Sequence, residues 1–401
     1  MTVRPARIPS TTPLGVVLAL IIAMAPAIGA AQRVPTRTLG KPLAELEEPF
    51  SGAFDARELR DGRLVVLDVK DNTLSLLASD LSSVTPISRE GSGPTEFRRL
   101  TQLVPRKGDS TLAYDVMNAR FLVVDGRGSA VSTISLREAS GGLPVGPMAV
   151  KGYDASGRLY FQGMKMRMGP NGPALSDTSS VLRLDPAKKV VDTLSWVRIG
   201  SPGMKMSGDV SKGTGAMRLT VPAFPVVDEW GLLPDGRIVV VRSDTYSMEF
   251  ITGPGATTTR VTVPYERVKV TNQDHARLRK QREDMQKEIR KVVAGASASM
   301  PQARGKMPSM AVDEPTEWPA VKPAFGQAAL KVAPDGEIWI SRLRDAAFEG
   351  QSWDVFTPAG VRRMQFDLPA KHALVGIGTK HVYVTRSDAD DLQYLGRYAR
   401  P

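Results

Sequence analysis

Residues 233–244 read LPDGRIVVVRSD, and the same turn-then-strand unit returns along the whole chain. It reads APDGEIWISR at 333–342 and RDGRLVVLD at 60–68, with looser copies at 155–162 (ASGRLYFQ), 107–115 (KGDSTLAYD) and 378–386 (GTKHVYVTR). The Asp-Gly or Ser-Gly pair sets a tight turn, because glycine tolerates the positive φ such turns need. The strand after it is a continuous run of Val, Ile, Leu and aromatic residues, which predicts burial on both faces for 64–67, 238–241 and 338–340. A polar break and a second strand follow each copy, at 73–78, 120–125, 180–185, 247–252 and 353–357. A further strand follows at 190–195, 260–263 and 361–368. The unit is a meander of about four strands.

With Gly62, Gly108, Gly157, Gly236, Gly336 and Gly378 as markers, the spacings are 46, 49, 79, 100 and 42 residues. The short ones match a four-stranded propeller blade of roughly 40–50 residues, and the two long ones imply insertions in the third and fourth units. A single blade exposes both sheet faces; stacking blades radially buries them, and closing the ring removes the free ends. The expected fold is all-β, a six-bladed β-propeller with a helical insertion in the fourth blade. Residues 34–39 are expected to supply the missing outer strand of the last blade.

The stretch Gly91–Phe97 (GSGPTEF) is followed by LAYDVMNARFLVVDGRG at 112–128. Together they resemble the bacterial six-bladed β-propeller family of NHL-repeat and TolB-like propellers, at Gly91, Gly93, Pro94, Glu96, Phe97, Asp115, Asn118, Arg120, Phe121, Asp125 and Gly128. Thr95 stands where that family usually has glycine. The similarity extends loosely over 33–400. It implies a propeller fold and export, and leaves function open.

The chain has 401 residues and no cysteine, which excludes disulfides, thiolate metal sites and cysteine nucleophiles. Arg4 and Arg7, an apolar run at 14–25 and the small residues Gly29, Ala30 and Ala31 read as a signal peptide over 1–31. The run is shorter than the about 20 apolar residues of a membrane span. The expected mature protein, 32–401, is periplasmic or secreted and monomeric, with no membrane span. Of the formal charge of +11, residues 265–306 alone carry +6, from eleven Lys/Arg against five Asp/Glu. The basic character therefore belongs to one segment, and nucleic acid is not an expected partner.

That segment lies in the insertion, taken as 265–320. Residues 272–294 (NQDHARLRKQREDMQKEIRKVVA) lack Gly and Pro, with Thr271 and Asp274 as a capping pair and Gly295 as a stop. Leu278, Met285, Ile289, Val292 and Val293 form one narrow apolar stripe. Such a stripe suits docking on the propeller, a protein or peptide partner, or a membrane surface.

Chemistry is sparse. His275, His372 and His381 share no metal-ligand spacing, and neither HExxH nor GxSxG occurs. Met164, Met166, Met168, Met204 and Met206 could offer thioethers to Cu(I), or could simply fill a gap. Asp388, Asp390 and Asp391 fit a solvated turn better than a calcium loop. No cofactor is expected. One constellation does emerge from aligning the copies. The residue ending each repeated strand is Asp68, Asp115, Gly163, Arg242, Arg342 and Arg386 in turn. If these lie at one mouth of the ring, three arginines face two aspartates, and Arg242, Arg342 and Arg386 could grip a carboxylate or phosphate. The alternative use is local pairing. The expected function is a binding or scaffolding module for a small anionic ligand or a peptide at the channel mouth; the alternative is a propeller-type hydrolase or lyase working in the channel.

Overall fold

The computed structural model describes residues 34–401 apart from 141, 143–149, 164–165, 170–171, 201–202, 208–214, 300–308 and 316. The expected signal segment, 1–31, lies outside them. The repeated strands form as expected: Leu64–Asp68 and Thr111–Asp115 are buried throughout, as are the first four residues of Ile238–Arg242. Gly62, Gly236 and Gly336 hold φ of 86°, 86° and 87°, which explains the glycine of each Asp-Gly turn.

Each repeated strand is the second of an antiparallel meander. The first blade runs Ala53–Glu58, Leu64–Asp68, Thr73–Leu77, Val84–Pro86. The second runs Leu100–Pro105, Thr111–Asp115, Arg120–Val124, Ala130–Ser135, and the third Val150–Tyr153, Leu159–Gln162, Thr178–Asp185, Val190–Arg198. The fourth is Asp228–Leu232, Ile238–Arg242, Ser247–Gly253, Ala256–Thr262. The fifth is Leu330–Val332, Ile338–Arg342, Gln351–Phe356, Arg362–Leu368, and the sixth His372–Ile377, His381–Ser387, Gln393–Ala399. Apolar clusters of buried residues fill each gap between neighbouring blades, including the gap between the sixth and the first. The fold is a six-bladed β-propeller, with the core divided among the blade interfaces.

Closure differs from the expectation for 34–39. Ala44–Glu45 supplies the outer strand of the sixth blade, pairing with Gly396 and Arg397, and Leu46 is buried beneath it. Thr36–Thr38 instead pairs parallel with Gln365–Asp367, as a fifth strand on the fifth blade. The chain therefore covers two sheet edges in passing, where one was expected.

The predicted helix is present as Asn272–Ser299. It follows the outermost strand of the fourth blade, in the connection to the fifth, and does not interrupt the blade's meander. Thr271 caps it: the Asp274 backbone N–H reaches the Thr271 hydroxyl, and the Asp274 carboxylate accepts from the Thr271 N–H at 2.9 Å. The helix docks on the protein itself. Asp274 forms a buried ion pair with Lys322 at 2.6 Å. Gln286 donates to the Met310 carbonyl and accepts from the Val312 N–H, capping the edge of Ser309–Asp313. That strand forms a small side sheet with Ala216–Thr220 and Gly203–Ser207. No helix among the described residues is long and apolar enough to cross a membrane.

Candidate functional site: the two mouths of the channel

In an antiparallel meander the turns between first and second strands lie at one end, while the second-to-third turns and the inter-blade connections lie at the other. We call these the turn face and the loop face. The strand-end residues singled out by the repeat lie on the loop face, one strand outward from the axis.

There they are tied to the incoming chain. Asp68 accepts from the backbone N–H of Gly52, Lys70 and Asp71 at 2.8–3.0 Å. Asp115, fully buried, accepts from the N–H of Arg98 and Arg99 at 3.0 Å and from the Asn118 amide at 2.7 Å. Arg120 donates to the carbonyls of Ser92, Gly93 and Glu96. The GSGPTEF and D-x-x-N-x-R motifs are thus the two halves of one clip holding the connection between the first and second blades.

The arginines are partnered as well. Arg242 donates to the Trp196 carbonyl and pairs with Asp228 at 2.8 Å and Glu249 at 2.9 Å. Arg342 donates to the Ala324 carbonyl, pairs with Asp354 at 3.0 Å, and lies over the rings of Tyr246 and Tyr265. Arg386 pairs with Glu45 at 2.7 Å. The expected positive arc is therefore already paired: Asp68 and Asp115 serve N–H groups of the incoming chain, Arg342 serves the incoming Ala324 carbonyl, and all three arginines are matched by carboxylates. At Gly163 there is no side chain, and its N–H bonds the Ser180 carbonyl.

The other candidates divide as follows. Met166 and Met168 lie on the hairpin strand Met166–Gly169, Met204 and Met206 on Gly203–Ser207, and Met164 lies outside the described residues. His275 stacks on Trp318 at 3.7 Å. His372 opens the inner strand of the sixth blade, inside the blade and not in the connection before it. Asp388 accepts from the N–H of Asp390 and Leu392, a closed turn. Among the described residues no group of three or more His, Asp or Glu could hold a metal ion.

The turn face opens into a cavity of about 940 Å³ along the axis, lined by residues of all six inner strands and by the turns Asp61–Gly62, Asp154–Ala155, Leu233–Pro234, Ala333–Pro334 and Thr379–Lys380. Sequence reasoning missed its charged residues. Bulges place several of them: the ladders shift register between Ala53 and Asp55, between Leu100 and Leu103, between Val150 and Gly152, and between Leu374 and Gly376. Lys151 is the extra residue of the third blade's bulge and stands exposed in the channel. Val375 is the extra residue of the sixth blade's bulge, and its carbonyl accepts from Lys331 Nζ at 3.3 Å.

Five cations line the cavity, Arg57, Arg60, Lys151, Lys331 and Lys380, with five acids, Asp55, Glu58, Asp61, Asp109 and Asp154. Most of the acids are already engaged. Asp61 pairs with Arg63, Asp154 with Arg158, and Asp109 with Arg57. Glu58 accepts from the Tyr383 hydroxyl at 2.6 Å and lies 3.3 Å from His381 Nδ1, tying the first blade to the sixth. What remains outside an ion pair is one acid, Asp55, and three cations. Lys151 forms a long ion pair with Glu229 at 3.9 Å, and Arg60, Lys331 and Lys380 form no ion pair among the described residues. Asp55 accepts from the Leu103 N–H at 3.0 Å; enclosure by protein raises its pKa, opposed by Lys331. Burial likewise pushes the Tyr153 hydroxyl up to about 12, so it stays a donor at neutral pH.

No family model matches this chain, and no curated protein matches it. Solved structures do. A protein described as exported, from Bacteroides fragilis, is 10% identical with a TM-score of 0.44, over 92% of this chain and 99% of that one. A gluconolactonase from Xanthomonas campestris is 11% identical with a TM-score of 0.40, over 91% and 99%. Virginiamycin B lyase from Staphylococcus aureus is 11% identical with a TM-score of 0.39, over 89% and 98%. Likeness at this level says nothing of ligand or reaction.

Proposed function

We propose that this protein is an exported binding module that takes a small anionic ligand in its central channel, entering from the turn face. The observation behind it is the charge left over in the cavity, three spare cations against one spare acid. Low-dielectric walls focus that field, which raises both the attraction and its dependence on salt. Export rests on the N-terminal signal pattern, with Arg4 and Arg7 ahead of the apolar run. The test is calorimetry with citrate and sulfate on the mature protein and on the double variant Lys151→Met/Lys331→Met. Binding that weakens with added salt and falls about 10-fold or more in the variant supports the reading, the size expected for losing one or two charge-assisted contacts. Equal binding by both proteins, or none by either, overturns it.

A second reading, a hydrolase or lyase in the same channel, draws on one arrangement. Glu58 engages Nδ1 of His381 at the cavity wall, so Nε2 is the nitrogen left to exchange a proton with a bound molecule. Turnover of a chromogenic ester panel that His381→Gln abolishes would establish it; no turnover by the wild type would remove it.

A further inference from the structure

The spare groups of the channel are of two kinds, and the combination restricts the ligand further than charge does. Lys331 spends one of its three N–H donors on the Val375 carbonyl. Asp55 accepts from the Leu103 N–H at Oδ2 and also from the Ala56 N–H, which fills two of the about four acceptor positions of a carboxylate. The two side chains come from the fifth and first blades and line one cavity; burial raises the Asp55 pKa, and Lys331 is near enough to oppose that rise. A bare anion drawn to Lys331 brings no donor to Asp55, whose remaining acceptor positions are then left unfilled. A molecule that brings a carboxylate to Lys331 and a hydroxyl to Asp55 satisfies both. The cavity of about 940 Å³ is far larger than a carboxylate or a sulfate needs. The Tyr153 hydroxyl, a wall residue with no hydrogen-bond partner among the described residues, supplies one more polar contact. Because spare cations outnumber spare acids, a net anion fits better than a zwitterion.

We propose that the ligand is a polyhydroxy carboxylate, its carboxylate held by Lys331 and a hydroxyl donated to Asp55. This rests on the channel reading above and adds the selectivity of its floor. A site built to accept from a hydroxyl discriminates strongly against analogues that lack one, since its own polar group is then left unpaired.

The test is calorimetry of the mature protein with D-glucuronate, D-glucose, acetate, sulfate and L-serine, repeated on Asp55→Asn and Lys331→Met. Thermal unfolding of each variant confirms that it is folded, and Lys331→Gln replaces Lys331→Met if that variant is not. Glucuronate should bind at least 10-fold more tightly than glucose, acetate, sulfate or serine. Lys331→Met should weaken glucuronate about 10-fold. Asp55→Asn puts an amide donor where the second carboxyl oxygen stood, so it should weaken glucuronate while leaving acetate and sulfate unchanged or tighter. That shift in preference is specific to the proposal. Sulfate or acetate matching glucuronate in the wild type, with no change of preference in Asp55→Asn, overturns it and leaves the anion site standing. Glucose or serine matching glucuronate also overturns it. Absence of binding by every anion overturns the channel reading and this one together.

Discussion

The two ends of the ring draw on the same residue types and put them to different uses. On the loop face Asp115 and Asp354 are fully buried, and each has several partners. On the turn face Lys151 stands exposed and Lys331 half-buried, facing a cavity with part of their donor capacity unspent. The cause is where the backbone needs help. The chain enters every blade from the loop face as irregular connection, so unpaired N–H and C=O groups arrive there and strand-end side chains must satisfy them. On the turn face the Asp-Gly turns serve themselves: Asp61, Asp235 and Asp335 each accept from the N–H two residues on. The inner-strand side chains beside those turns are released for a ligand. One mouth holds the ring together and the other is open for business with solvent molecules.

The sharpest break of this contrast is Asp354→Ala. The Asp354 carboxylate takes the Tyr246 hydroxyl at 2.6 Å, Arg342 at 3.0 Å and also Arg362. Removing it strands Arg342, whose side chain is 9% exposed. The expected loss is about 3–5 kcal/mol by urea denaturation, the cost of a buried charge without its partner. A loss under about 1 kcal/mol would mean that the loop face is not structural in this sense.

Arg242→Ala should cost less, about 1–3 kcal/mol and toward the lower end. Asp228 keeps Arg198 at 2.7 Å and Glu249 keeps Arg260 at 2.6 Å, so neither acid is left alone. An unchanged denaturation midpoint would show that Arg242 is free to serve a ligand, restoring the anion arc to the loop face.

Lys151→Met probes the other mouth. The side chain is exposed on a bulge and its ion pair with Glu229 is long, 3.9 Å, so stability should fall by no more than about 1 kcal/mol. Citrate binding should fall at the same time. A variant that unfolds earlier yet binds citrate normally would reverse the assignment of the two mouths.

The sequence and the structure agree most closely where side chains are repeated and buried. The Asp-Gly turn followed by a β-branched run is enough to place Leu64–Asp68, Ile238–Arg242 and Ile338–Arg342 and to count the blades. Closure was harder to read. Thr36–Thr38 is exposed throughout and Ala44–Glu45 is two residues long, so neither carries an alternating pattern that could tell one blade edge from the next. The rim residues follow from the alignment, but whether Arg242 meets a ligand or the Trp196 carbonyl depends on how the outer strand of the blade before it, Val190–Arg198, ends beside it. The channel residues were missed for a different reason. Inner strands such as Val150–Tyr153 and Leu330–Val332 are three or four residues long, and a bulge breaks the alternation at Lys151. A signal did exist upstream of the turns. Aligned on the turn glycines, Lys331 lies five residues before Gly336, Lys151 six before Gly157 and Arg57 five before Gly62.

The smallest expected effect concerns Asp55, and it is read as a difference between two proteins across pH. Enclosure raises the Asp55 pKa above its ordinary value near 3.8, so the folded protein holds this proton more firmly than the unfolded chain does. Between the unfolded and the raised folded value the native state binds more protons, and stability due to this group falls as pH rises through that window. Asp55→Asn removes the titration and keeps an oxygen for the Leu103 N–H. The variant should therefore gain on the wild type as pH rises from about 3 to neutrality and hold a constant lead above the window, with general acid effects cancelling in the difference. Ligand-free protein must be used, because a bound carboxylate or hydroxyl would shift the same group. If the wild type gains on the variant instead, Asp55 is held ionised by Lys331, the two form a closed pair, and the floor of the channel has less to offer a ligand than its geometry suggests.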